Sequence, residues 1–349
     1  MLKRKVAMIT GAGQVITVEE TMGDLKDNEV LIKVSASLVS PGTEMSGVKA
    51  KREKPDTARK PSAFGYANAG EIIAVKGNVK GLKVGMRVAA MGGGYAQHAN
   101  YAAVPVNMVM PIPDAVNYEQ AAYACLGATA LHAVRRTVPQ LGEYGMVLGL
   151  GIVGNLAAQL SSLSGGRVIG WEGIDERINV ARRCGLRDFA NFTKADPVKL
   201  TKKFATPYGA DFAIMAFGGD GIKAFDQIKG CMKVSADGHI MGRVVLVGGC
   251  WIKIAGGAGT GNLNIRSAAR TGPGYHDPAY EYGNDYPDSF VQFTTQRNLR
   301  EIITLIEEKR LVVDPMTTHR MSLDDCGKAA DLLIEKPQEA LGVIFQMSH

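Results

Sequence analysis

The hydrophobic pattern changes period once along the chain. Lys5–Thr10, Glu29–Ser37, Ala69–Val75 and Arg87–Ala90 are short β-favouring runs divided by Gly, Pro and Asn turns. Glu29 to Ala36 partly alternates, as a strand with one covered face does. Residues 1 to about 115 therefore predict a barrel-like β domain. From Asn117 the spacing becomes helical: Ala121, Ala122, Cys125, Ala128, Thr129, His132 and Ala133 recur at three and four, predicting a helix over 117–136. Strands then follow at Met146–Leu150, Arg167–Glu172, Asp211–Ala216, Val244–Val247 and Leu263–Ser267. They alternate with helical segments from Ile152, at Arg177–Cys184 and at Gly221–Cys231. Such alternation predicts a parallel sheet wound on both sides. An amphipathic helix over Thr295–Lys309, a helix near Ser322–Glu335 and a strand at Leu341–Gln346 complete the reading.

The junction of the first parallel strand with its helix carries Gly149, Gly151 and Gly154, spaced Gly-x-Gly-x-x-Gly. The first glycine permits the tight turn, the second lets a pyrophosphate approach the backbone, and the third lets helix and strand pack closely. The helix-start amides, around Ile152 and Val153, then receive the phosphate charge. Glu172 ends the next strand, where a carboxylate accepts hydrogen bonds from the adenosine ribose and repels a 2′-phosphate. At about 4 Å and an effective dielectric of about 20, one such like-charge pair costs roughly 4 kcal/mol, near three decades in affinity. NAD is therefore expected over NADP, with Arg177 and Arg182 nearby as groups able to bind a phosphate instead.

With 349 residues the chain is long enough for two domains. No apolar run reaches membrane-spanning length and the N-terminus has no signal core, so a cytoplasmic enzyme without a membrane partner is expected. The five cysteines are scattered and contain no Cys-x-x-Cys, which argues against a disulfide framework or a structural zinc lobe. A net charge of +6 raises the question of nucleic acid. The densest basic stretch, Lys49 to Lys60, includes Glu53 and Asp56 and no aromatic residue, so it reads as a solvated loop and no nucleic-acid partner is expected.

These features together resemble the medium-chain dehydrogenase/reductase superfamily over nearly the whole chain. The markers are ASLVSPGTE at 36–44, GYANAG at 65–70, GMRV at 85–88, Pro111 to Val134, the glycine turn and Val245-Leu246-Val247-Gly248. A branch of threonine-dehydrogenase-like and bi-domain oxidoreductases is closer still, sharing GGGYAQHANY at 92–101, AAYACLGATALHAVR at 121–135 and GPGYHDPAYEYGNDYP at 272–287. The resemblance implies a GroES-like β-barrel catalytic domain over 1–120, completed by 290–349, and a Rossmann NAD-binding domain over 121–289. It implies that Val247 and Gly248 line the cofactor, that the substrate is a sugar, cyclitol or polyol, and that the protein is a homodimer or homotetramer.

The zinc enzymes of that superfamily have a Cys where this chain has Ser40, and a His-Glu pair where it has Tyr66-Ala67; only Cys125 falls at a ligand position. One thiolate does not hold a catalytic zinc, so no metal is expected. A competing metal set, Cys125 with His132 and His98, is outweighed by their reading as ordinary core or cofactor-facing residues. Without zinc another group must stabilise the alkoxide-like charge. Tyr66 is the first candidate, as donor to an oxyanion or as filler of the vacated volume. His98 is the second, as acid–base or as a structural histidine. Glu44 suits a base, a hydroxyl ligand or a supporting role, and Ser40 and Thr43 suit a proton relay. Tyr95 and Cys125 are placed on the substrate side. Tyr275, His276 and Asp277 offer aromatic faces and a carboxylate to a polyhydroxylated substrate, or pack the 272–287 loop between domains or subunits. The expected reaction is hydride transfer between NAD and a secondary alcohol. The alternatives are an NAD(P)H-dependent enone or quinone reductase and a non-catalytic dinucleotide-binding relative.

Overall fold

Alternation is strongest in the strand Glu29–Leu38, where Val30, Ile32, Val34, Ala36 and Leu38 are all buried. In the computed structural model, which describes residues 2–348, this strand is the centre of a seven-stranded sheet. It pairs antiparallel with Ala67–Lys76, Tyr101–Pro105 and Gly342–Gln346. Arg87–Met91 and Val109–Pro111 extend one side and Thr317–Ser322 the other. A smaller sheet joins Val15–Thr21, Lys3–Ile9 and Ser62–Ala63. One core binds the two sheets: Ala7, Ile9 and Val15 from the small sheet meet Val343 and Phe345 from the large one, with Met45, Val48, Ala329, Ala330 and Leu333 from two helices.

The helix Pro41–Glu53 is a feature that the expected solvated loop at Lys49–Lys60 conceals. Proline at its first position is preset for a helix start, and Glu44, Met45 and Val48 turn inward at helical spacing. Lys49 and Arg52 are exposed, so the basic stretch is half helix face and half loop. The helix expected over 117–136 is two: Tyr118–Ala121, capped by Asn117 and Gln120, and Ala124–Thr137. They part where the Tyr123 N–H bonds Gln120 O three residues back, which buries the Tyr123 ring and sets its hydroxyl 2.8 Å from Thr317 Oγ1.

The second unit is a six-stranded, wholly parallel sheet in the spatial order Asp188–Asn191, Arg167–Glu172, Tyr144–Leu148, Phe212–Met215, Met241–Val247, Asn262–Ala268. In chain order this is 3-2-1-4-5-6, the doubly wound nucleotide-binding arrangement. The order reverses between Tyr144–Leu148 and Phe212–Met215, so a crevice opens beyond their carboxyl ends. Its core includes Met146, Leu148, Ile169, Trp171, Ala213, Met215, Phe225 and Ile228.

The boundary between units differs from the expected one. Residues 2–128, Thr271–Lys309 and 317–348 form the first unit, and Thr129–Arg270 with Arg310–Met316 the second. Residues 121–128 and 271–289 thus leave the expected Rossmann domain, and 310–316 join it. The hydrogen bonds explain this. Asn107 Nδ2 donates to Tyr280 O (2.7 Å) and Asn28 Nδ2 to Tyr282 O (2.8 Å), tying the 272–287 loop to the barrel. The Gln159 side chain brackets Val312, donating to its carbonyl (3.0 Å) and accepting from its N–H (2.9 Å). No helix among the described residues is long and apolar enough to cross a membrane.

Candidate active site and dinucleotide turn

In the second unit, two of the three glycines of the strand–helix turn are required by the structure itself, and the third stands beside open space. Gly149 has φ 85°, a left-handed backbone that only glycine adopts without strain. A Cβ on Gly154 would lie 1.7 Å from Gly149 O, so its helix packs against the turn only without a side chain. A Cβ on Gly151 would meet nothing within 4 Å: the space beside this helix-start residue is open. No side chain caps the helix Ile152–Leu163 that begins there. Its first-turn amides therefore have no side-chain acceptor, the arrangement found where a helix start meets an anion. Ile152 is buried against the core and Val153 half-buried. Across the crevice strands, Val247 is buried at its strand end, whereas Gly248, with φ 92°, is exposed.

Glu172 lies at this turn but is more occupied than expected. Its Oε1 accepts the N–H of Gly173 (2.7 Å) and Ile174 (3.1 Å), and its Oε2 accepts the N–H of Leu150 (2.9 Å) inside the glycine turn. Arg177 Nη1 stands 3.8 Å from Oε2. Each carboxylate oxygen accepts two hydrogen bonds, so one place on Oε2 remains. Glu172 is thus a staple that holds the end of its strand to the glycine turn.

In the first unit, six of the singled-out residues converge. The Ser40 and Thr43 side chains lie close enough to the Tyr66 phenol to favour its charged form, and Glu44 and Cys125 close enough to oppose it electrostatically. Burial, then Glu44 and Cys125, push the phenol well above its ordinary value. It therefore stays protonated and acts as a hydrogen-bond donor, not as a base. Burial first, and Glu44 next, likewise push the Cys125 thiol up and keep it a thiol. Glu44 is buried; its Oε2 accepts from the Ser40 N–H (3.1 Å) and lies 3.0 Å from His98 Nε2. His98 is fully buried, edge-on between Phe64 and Phe345, with Nδ1 2.6 Å from Ser37 Oγ. Gly65 makes room for it, since a Cβ there would lie 2.4 Å from His98 N.

Ser37 carries no sequence signal. Alternation assigns it to the face opposite Ala36 and Leu38, yet all three are buried, because both faces of the strand are covered at this end. Glu281 was also passed over. It is buried, accepting from the Tyr95 hydroxyl (2.8 Å) and the His276 N–H (2.8 Å), and burial pushes its carboxyl up. Together these fasten the 272–287 loop within the first unit. Tyr275 takes the Gly93 N–H on its hydroxyl (2.7 Å) and stacks on His276, which is exposed and held at φ 70°. Asp277 caps the short helix Pro278–Glu281 and accepts the Tyr286 hydroxyl (2.5 Å). Its carboxylate is committed to the loop's own structure. Tyr275 and His276 keep their ring faces near the Gly92–Tyr95 turn.

The residues do not fit a catalytic zinc. Among the described residues no three of His, Cys, Asp and Glu gather as a ligand set. Both His98 nitrogens are engaged by Ser37 and Glu44. His132 lies seven residues from Cys125 on one helix, about 10 Å along its axis, beyond the reach of a shared ion.

A β-rich unit with a buried polar cluster, followed by a 3-2-1-4-5-6 parallel sheet with a glycine turn, defines a two-unit α/β protein of the doubly wound class. Residues 26–114 match the alcohol dehydrogenase GroES-like domain. An alcohol dehydrogenase of Geobacillus stearothermophilus is 28% identical over 203 residues, covering 50% of this chain and 59% of the relative. A sorbitol dehydrogenase of Bacillus subtilis is 28% identical over 218 residues, covering 54% and 62%. These alignments span about three fifths of the relatives' length. Among solved structures, an Escherichia coli oxidoreductase/dehydrogenase of unknown specificity involved in membrane biogenesis superposes with TM-score 0.82 at 18% identity, covering 100% of both chains. A putative zinc-binding dehydrogenase of Sinorhizobium meliloti, bound to NADP, superposes with TM-score 0.77 at 18% identity over 99% of this chain and 100% of that one. In its matched GroES-like domain and in its fold the chain is similar to the medium-chain dehydrogenases and reductases.

Proposed function

We propose that this chain is a zinc-independent, NAD-dependent oxidoreductase that interconverts a secondary alcohol and a ketone on a sugar, cyclitol or polyol. The observation that carries the reading is the open face at Gly151 beside uncapped helix-start amides, at the point where the sheet order reverses. A nicotinamide bound through that turn supplies a hydride acceptor or donor. The chain's own residues then have two tasks: to hold the alcohol and to manage its hydroxyl proton. Tyr66 suits the first, because a phenol kept protonated donates to the substrate oxygen in both redox states.

Alcohol and sorbitol dehydrogenases among the relatives support a hydroxylated substrate, as do the rings of Tyr275 and His276 beside the Gly92–Tyr95 turn. Glu172 supports NAD, since a 2′-phosphate would meet its charge. Arg177, 3.8 Å from that carboxylate, is the group a 2′-phosphate would use, and the superposable NADP-bound structure makes the comparison worth measuring. Fluorescence titration with NADH and NADPH, followed by an absorbance screen of sorbitol, myo-inositol and simple sugars with NAD, tests the proposal. Preference for NADPH overturns the cofactor assignment. Turnover that a chelator abolishes and zinc restores overturns the metal-free assignment.

A further inference from the structure

Glu44 Oε1 is buried and has no hydrogen-bond partner. An unmatched buried acceptor costs roughly 1–3 kcal/mol, more when charged, and such groups persist where they are used. Its sister atom is the opposite case: Oε2 is held by the Ser40 N–H and by His98 Nε2. What His98 presents to Glu44 depends on its other nitrogen, and that nitrogen faces Ser37.

Ser37 Oγ lies 2.6 Å from His98 Nδ1 and 3.0 Å from Ala67 O, and a serine has one proton. If that proton goes to Ala67 O, Nδ1 must be the donor. A neutral ring then turns a bare Nε2 towards a carboxylate oxygen 3.0 Å away. If the proton goes to Nδ1, Nε2 carries the ring proton and donates it to Glu44. Only this second placement pairs every donor with an acceptor without placing an extra proton in the buried pair, and it uses the shorter of the two Ser37 contacts.

We propose that Ser37 fixes His98 in its Nε2–H form, that His98 and the Ser40 N–H saturate Glu44 Oε2, and that Glu44 Oε1 is the base that accepts the alcohol's hydroxyl proton. The proposal rests on the reading of the chain as a nicotinamide-dependent alcohol oxidoreductase. In the forward direction the alcohol O–H bond breaks and its proton goes to Oε1. The carbinol C–H bond breaks with its electron pair, which leaves as hydride to the oxidised nicotinamide dinucleotide, and a carbonyl forms. Carbon is oxidised, nicotinamide is reduced, and the reverse reaction returns the proton from Oε1. Glu44 and Tyr66 divide the work on one oxygen. Of the other ionisable groups facing Glu44, Tyr66 and Cys125 are both pushed upward and remain protonated, and His98 is turned to it as a donor. When Glu44 takes the proton its charge vanishes, and Tyr66 becomes a stronger donor at the moment the substrate oxygen is most negative. Glu44 is thus a catalytic residue, and Ser37 and His98 are positioning residues.

Nitrogen-15 spectra of histidine-labelled protein without ligands, with the His98 signals assigned by their loss in His98→Asn, test the chain directly. The expected result is a protonated Nε2 and an unprotonated Nδ1 in the native protein. Ser37→Ala should mix or invert the two forms, and Ser37→Thr should restore them. A protonated Nδ1 in the native protein overturns the proposal. With sorbitol and NAD as probes, Glu44→Gln should lower kcat at least 100-fold while NADH affinity stays within twofold. Ser37→Ala should lower kcat about tenfold, with recovery in Ser37→Thr. Turnover within threefold of native in Glu44→Gln overturns the assignment of the base. Failure of the native protein to bind NADH sinks the functional reading instead, and the spectra still judge the tautomer.

Discussion

Glu172→Gln separates the two roles of that side chain. The carboxylate accepts three backbone N–H groups, from Leu150, Gly173 and Ile174. Glutamine keeps one acceptor oxygen. Its better orientation serves Gly173 and Ile174 and turns an NH2 group against the Leu150 N–H. One buried donor is then orphaned, at about 1–3 kcal/mol, and two charge-assisted bonds become neutral, at roughly half a kcal/mol or more each. The expected loss is about 2–4 kcal/mol, and at roughly 2–4 °C per kcal/mol for a unit of this size the melting temperature should fall by about 4–16 °C. The same change removes the charge that opposes a 2′-phosphate, worth up to roughly 4 kcal/mol. NADH should bind somewhat more weakly and NADPH more tightly, shrinking their affinity ratio by as much as about a thousandfold. Scanning calorimetry and parallel fluorescence titrations read both effects. An unchanged melting temperature refutes the staple, and an unchanged NADH to NADPH ratio refutes the electrostatic argument for NAD.

Gly154→Ala should destabilise the second unit and abolish NADH binding, because the obstructing atom at 1.7 Å is backbone; near-native NADH affinity in that variant would contradict the packing seen here. Tyr66→Phe should lower kcat by about 10–100-fold with NADH affinity within twofold, and unchanged turnover would clear Tyr66 of any role on the substrate oxygen. Burial raises the Glu281 carboxyl above its unfolded value. Its contribution is therefore complete below the ordinary carboxylate range and lost as pH rises through the raised value. Amide exchange at His276, after correction for the intrinsic rate, should quicken over that window, and a flat profile would contradict the assignment.

The parallel sheet was legible because buried strands and amphipathic helices alternate with distinct periods, and because Gly149 and Gly154 each answer a separate steric demand. The cluster around Tyr66 was legible residue by residue, since Ser40, Thr43, Glu44 and Cys125 were each singled out and do meet. What the sequence hid was geometry that local pattern does not encode. Ser37, which alternation places outside, is buried because both faces of its strand are covered at that end. The loop at 272–287 displays acids and tyrosines as a sugar site would, yet Asp277 and Glu281 spend their oxygens on its own fastening. Helix Pro41–Glu53 was masked by charge, because lysine and arginine on its outer side outweighed Met45 and Val48 within it.

The polypeptide passes between its two units at residues 128, 270, 309 and 316, so each is assembled from separated stretches of chain. The seven residues Arg310–Met316 return to the second unit only briefly, where Val312 supplies two of the three hydrogen bonds of the Gln159 amide, Asn155 Oδ1 accepting the third. Cutting the chain at 270 to isolate the nucleotide-type sheet would therefore strand a buried amide in the helix that follows the glycine turn. Neither half is a transplantable module in the ordinary sense. Recombining this protein with a relative calls for exchange points on both sides of that short return, or for a replacement of Gln159 that needs no partner.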